Sequence, residues 1–193
     1  MVTYLRGNDN FDSADAEGIL APLHEYAVSG TPSSVSFNLT GFRSYNIDIQ
    51  EAKSSTNGAN LRMQFSANGG SSYYTSNYFY HFMYYAPDGA NQGYDFGSAG
   101  FMQLISAQGV GSSYSEGGSV NIDIRCTGTS NHYCNGTLNS GFHRDYYGGG
   151  RIHECFNPTN FGLRTAAAIN NVKFFWSGGN WTQGNIKITG KYS

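Results

Sequence analysis

The stretch SSVSFNLTGFRSYNIDIQ, residues 33–50, places Val35, Phe37 and Leu39 on one parity and then repeats the pattern with Tyr45, Ile47 and Ile49. Alternation at period two is the mark of a strand with one buried face and one wet face. It returns as Leu61, Met63 and Phe65, as Val120, Ile122 and Ile124, as Val172, Phe174 and Trp176, and as Ile186 and Ile188. Gly-Gly and Asn-Gly pairs separate the runs at STNGAN, SANGGSS, SEGGS, YYGGGR and WSGGNW, where positive φ is readily supplied. The runs fall at 24–28, 34–39, 44–52, 60–67, 73–85, 101–106, 119–126, 131–138, 151–156, 169–177 and 184–191. They predict an all-β fold, an antiparallel β-sandwich or jelly roll of about ten strands. The stretch GLRTAAAINNV suits at most a single helical turn.

A chain of 193 residues suits one sizeable domain. We expect a short N-terminal arm over residues 1–30, acidic through Asp9, Asp12, Asp15 and Glu17, and a β-sandwich domain over 31–193. Glycine at 26 residues, with 15 Tyr and 13 Phe against 4 Pro, fits short strands and glycine-bearing turns. Charged residues are 12% of the chain, so hydroxyls, carboxamides and glycine must wet the surface, which suits neutral partners. Eleven basic and thirteen acidic residues, never gathered into a basic patch, argue against nucleic acid. The chain has no run of about 18 apolar residues and no signal-like start, from which we expect no membrane insertion and synthesis in a cytoplasm. The sequons at Asn38, Asn135 and Asn180 then read as chance matches.

The densest aromatic stretch is YYTSNYFYHFMYY, residues 73–85. Read as one strand, its even face is Tyr74, Ser76, Tyr78, Tyr80, Phe82 and Tyr84, suited to packing on an opposite sheet. The odd face is mixed. Tyr73, Asn77, Phe79, His81 and Tyr85 are its candidates for contact with a glycan or a second subunit, because tyrosine rings pack while their hydroxyls stay wet.

Two tripeptides carry the sharpest chemistry: His132-Tyr133-Cys134 and His153-Glu154-Cys155. Each sets an imidazole and a thiol on one strand face. If the two strands pair through the GFHRDYYGGG hairpin with 132 opposite 155 and 134 opposite 153, His132, Cys134, His153 and Cys155 form a ligand set for structural zinc. A Cys134–Cys155 disulfide and unlinked side chains are the other readings, and no other cofactor is expected. Catalysis lacks support. No G-x-S-x-G, H-E-x-x-H or dinucleotide loop is present, and Asp88, Asp95, Glu116 and Asp145 fall in polar or glycine-rich turns. A thiol or metal hydrolase built on the His/Cys pairs is therefore the weakest rival, and we expect no enzyme.

The order SSVSFNLTGFRSYNIDIQEAKSSTNGANLRMQFSANGGSSYYTSNY, then GGSVNIDIR, then AAAINNVKFFWSGGNWTQGNIKITGKY resembles the β-sandwich domain of fibre-like and other surface proteins of tailed bacteriophages. The likeness covers about residues 25–192 and is most specific at the ending, although this chain closes on GKYS where the family pattern has LYG. The resemblance implies a structural protein on the virion surface, displayed as a homotrimer and docked to other virion proteins by its N-terminal arm. It supplies no catalytic residues. Head decoration, as a cement or short-fibre protein, is the first expectation. A tail-fibre or tail-tip protein that contacts host polysaccharide is the second, and a free carbohydrate-binding module or lectin is the third.

Overall fold

The computed structural model describes residues 20–39, 41–84, 92–105, 117–125, 133–145 and 152–191; at 20–21, 82–84, 92–95, 143–145 and 152–159 it describes the backbone alone. Among these residues there are twelve strands, all paired antiparallel, and no helix long and apolar enough to cross a membrane. The strands are β1 (Leu20–Ala27), β2 (Ser34–Asn38), β3 (Ser44–Ser54), β4 (Leu61–Ser66), β5 (Tyr78–Tyr84) and β6 (Gln92–Ala99), followed by β7 (Met102–Gln103), β8 (Gly117–Arg125), β9 (Tyr133–Asp145), β10 (Ile152–Ala166), β11 (Asn171–Trp176) and β12 (Trp181–Lys191). Eight form one sheet in the order β1-β12-β3-β8-β9-β10-β5-β6, and four form the other as β2-β11-β4-β7. The two pack face to face as a β-sandwich.

Alternation builds the core directly. Ile47, Ile49, Ile122, Ile124, Ile186 and Ile188 line the inner face of the large sheet, and Leu61, Met63, Phe65, Val172 and Phe174 meet them from the small one. Pairing keeps each set in line. Ile188 stands opposite Ile47, Ile47 opposite Ile122, and Ile122 opposite Leu138. Another row crosses all eight strands as Ala21, Gly190, Tyr45, Ile124, Gly136, Phe161, Tyr80 and Phe96. Gly136 is required by its neighbours: a Cβ there would strike the Asp123 carbonyl oxygen and lie 2.6 Å from the Phe161 ring.

Both lateral margins of the sandwich are closed by aromatic rings. At one, the His24 and Tyr26 rings of β1 lie 5.4 and 5.9 Å from Phe37 of β2, and His24 Nε2 is 2.9 Å from the Asn38 carbonyl oxygen. Residues 20–27 of the expected arm are thus an integral edge strand, because Leu23 and Tyr26 have apolar core to cover. Residues 1–19 lie outside the described residues.

At the other margin the aromatic stretch does the closing. The strand expected over 73–85 begins only at Tyr78, after Asn77 takes a left-handed φ of 66° and the Arg164 N–H donates to its carbonyl at 2.9 Å. From there the parity holds: Tyr78 and Tyr80 are buried. Their hydroxyls reach across the sandwich to the small sheet. Its edge strand β7 is only two residues long, so beyond it β4 presents the N–H and C=O of Phe65 unpaired by strand. Tyr78 Oη accepts from the Phe65 N–H at 2.7 Å, and the Tyr74 N–H donates to the Phe65 carbonyl at 3.0 Å. Unpaired buried backbone groups are costly, which makes these two residues the cover for that edge. Burial raises the Tyr78 and Tyr80 hydroxyl pKa values, the latter to about 12; the Phe65 backbone hydrogen bond pulls the other way at Tyr78, and the Arg62 charge and a Gln103 backbone hydrogen bond do so at Tyr80.

Candidate binding faces

The five odd-face candidates do not form one surface. Phe79 and His81 lie on the solvent face of the large sheet; the Phe79 ring covers Gly162, where a Cβ would sit 2.6 Å from a ring carbon, and the Arg164 guanidinium lies 4.8 Å from the ring centre. Asn77 is exposed at the entry to β5, with Nδ2 3.4 Å from Thr165 Oγ1. Tyr73 belongs to the other sheet, since the loop before β5 carries it across the outer face of β11, where its hydroxyl donates to Asn171 Oδ1 at 2.9 Å. Tyr85 lies outside the described residues.

The hairpin of β9 and β10 forms, but not in the register that a zinc tetrad needs. Cys134 stands opposite Leu163, Cys155 opposite Phe142, and His153 opposite Arg144. Cys134 and Phe142 are eight residues apart on β9, roughly 26 Å at ~3.3 Å per residue, whereas a disulfide needs Cα atoms within about 7 Å. The register thus bars both the four-ligand cluster and the Cys134–Cys155 bridge. Cys134 is buried and disulfide-bonded. His132 lies outside the described residues.

Sequence reasoning did not single out the two solvent faces. On the large sheet, Asp123, Arg125, Asn135, Thr137, Asn160 and Lys191 border a groove of about 570 Å³. Pairing sets Asp123 opposite Asn46 and Thr137, and Thr137 opposite Asn160, so one row of short polar side chains crosses four strands. Lys191 Nζ donates to Asp123 Oδ1 at 2.6 Å and Asn46 Nδ2 to the same oxygen at 3.2 Å. Partial burial pushes the Asp123 carboxyl up, but these hydrogen bonds, with the charges of Lys191 and Arg125, outweigh it and hold the pKa below the ordinary value. The groove presents fixed donors and acceptors with its acid already matched by a cation.

The small sheet's outer face is different in kind. Gln103, Arg62, Phe175 and Ser34 stand opposite one another across its four strands, and Gln64, Lys173 and Ser36 form the adjoining row. The Arg62 guanidinium lies 3.9 Å from the Phe101 ring centre, and Phe101 meets Phe175 edge-on at 6.5 Å. Lys173 Nζ sits 4.1 Å from the centre of the Tyr73 ring and 5.1 Å from that of Phe175. All five side chains are half-buried. Desolvation lowers the pKa of both Arg62 and Lys173, and Arg62 Nε has no hydrogen-bond partner. No acidic side chain occupies these rows. The sequence signal was available in RMQ and KFF, where polar or cationic residues alternate with core ones.

No protein-family model, no curated protein and no solved structure matches the chain.

Proposed function

We propose that the chain is a structural protein on the surface of a tailed-bacteriophage particle, a head decoration or short-spike subunit that acts by binding other virion proteins. The observation that carries this reading is where the most specific part of the resemblance falls. Residues 166–192 supply β11, held between β2 and β4 in the small sheet, and β12, held between β1 and β3 in the large one. Trp176 and Trp181 meet edge-on at 5.3 Å across the turn between them. The stretch that resembles phage surface proteins most specifically is therefore the segment that joins the two sheets, rather than a peripheral loop. Mixing purified chain with particles that lack it tests the proposal: co-sedimentation through a gradient at saturable stoichiometry supports it, and a chain that stays at the top of the gradient refutes it.

A tail-fibre or tail-tip role, with contact to host polysaccharide, is the second reading. It is favoured by the two polar faces, which offer carboxamides, hydroxyls and ring faces in the positions that a sheet fixes. A free lectin would use the same faces without a particle. Reproducible binding on a glycan array would favour this pair of readings, and silence would favour decoration.

A further inference from the structure

We infer that the outer face of the four-stranded sheet is a binding site for an acidic polysaccharide, one whose sugar rings carry carboxylates. This rests on the glycan-contacting reading above and adds the substrate class and the place.

Three observations meet there. First, the face alternates cations with ring faces: Arg62 over Phe101, Phe101 against Phe175, and Lys173 between Phe175 and Tyr73. Sugar rings lie on aromatic faces through their C–H groups, and each cation beside a ring can meet a carboxylate on the same sugar. Second, the charge is one-sided. The large sheet matches Asp123 with Lys191 on its own surface, whereas the rows through Arg62 and Lys173 hold Ser, Gln and aromatic residues with no acid among the described ones. Charge complementarity therefore selects an anion here. Third, the cations are already positioned. Arg62 and Lys173 lie on neighbouring strands at diagonal positions, about 7–8 Å apart at Cα, because Arg62 stands opposite Phe175 and Lys173 opposite Gln64. Both are partly desolvated, so an incoming carboxylate would meet less water than at a fully exposed lysine. Hydrogen bonding by the exposed Ser34 at the end of the Arg62 row and by Ser36 beside Lys173 would serve ring hydroxyls.

Titration calorimetry with polyglucuronate, and with neutral dextran as the comparison, tests the inference. We expect polyglucuronate to bind and dextran not to bind. Affinity should fall at least tenfold in Lys173→Gln and further in Lys173→Gln/Arg62→Gln, persist in Lys173→Arg, and weaken as salt rises. Lys173 is half-exposed, so the single variant keeps the test valid if the double one unfolds, and a thermal melt checks each. No polyglucuronate binding, or binding unchanged in folded Lys173→Gln, overturns the inference. Equal binding of dextran overturns the acidic class while leaving glycan contact standing. If the variants instead change only the chain's mass in solution, the face joins two copies of the protein and the inference fails. Particle co-sedimentation is read separately, so loss of the virion reading and loss of this site are distinguishable.

Discussion

Single atoms decide much of the margin beside β5. Tyr78→Phe deletes the acceptor for the Phe65 N–H and leaves a buried donor unpaired. We expect a loss of about 1–3 kcal/mol in chemical denaturation, more than the same change at a half-exposed tyrosine such as Tyr74. Tyr80 adds a pH signature. Its folded pKa of about 12 lies above the ordinary 10, so the unfolded chain ionises first as pH rises. The stabilisation is whole below pH 10 and is lost between about 10 and 12; Tyr80→Phe should flatten that slope in denaturation curves measured across the window. Gly136→Ala has a steric cause instead, since the added methyl meets the Asp123 carbonyl and the Phe161 ring. A drop of about 1–3 kcal/mol is expected from overpacking, and making Phe161 smaller should not restore it, because the clash with the Asp123 carbonyl remains. None of these three effects was visible in the sequence, because each depends on which residue stands opposite another.

Strands were far more legible than their partners. Wherever apolar residues alternate without interruption, as in β2, β3, β4, β8, β11 and β12, the expected runs and the observed strands coincide to within a few residues. β6 was missed: QGYDFGSA carries two glycines and little alternation, and it is an edge strand with one neighbour, β5. β9 and β10 were read too short, since β10 runs through Pro158 and Gly162 to Ala166, into the stretch read as a helical turn. That shortening also produced the wrong register, and with it the zinc and Cys134–Cys155 readings. Non-reducing peptide mapping should find Cys134 in a disulfide but never joined to Cys155; a Cys134–Cys155 peptide would contradict the observed pairing. A chain that starts at Val28 lacks β1 with Leu23 and Tyr26, and its melting temperature should be lower by several degrees.

At the largest scale the chain is a sandwich in which, among the described residues, a sheet of eight strands overhangs one of four, with Phe96 39% exposed on the overhanging edge strand. Composition and alternation made that class legible from the start. The faces that could carry function were not, because a strand's outer residues acquire meaning only beside those of the neighbouring strands. Arg62, Lys173 and Phe175 are scattered through two runs of sequence, and Tyr73 reaches them only because the loop before β5 crosses the small sheet. The stretch 73–85 therefore divides: Tyr78 and Tyr80 close the sandwich, Phe79 and His81 face solvent on one sheet, and Tyr73 joins the cation-bearing face of the other. Labelling intact particles from a producing lysate with an antibody to this chain, and imaging them by electron microscopy, tests the proposed role most directly. Regular label on the outside of the head or tail is the expected result; a chain confined to the soluble fraction, with unlabelled particles, would contradict it.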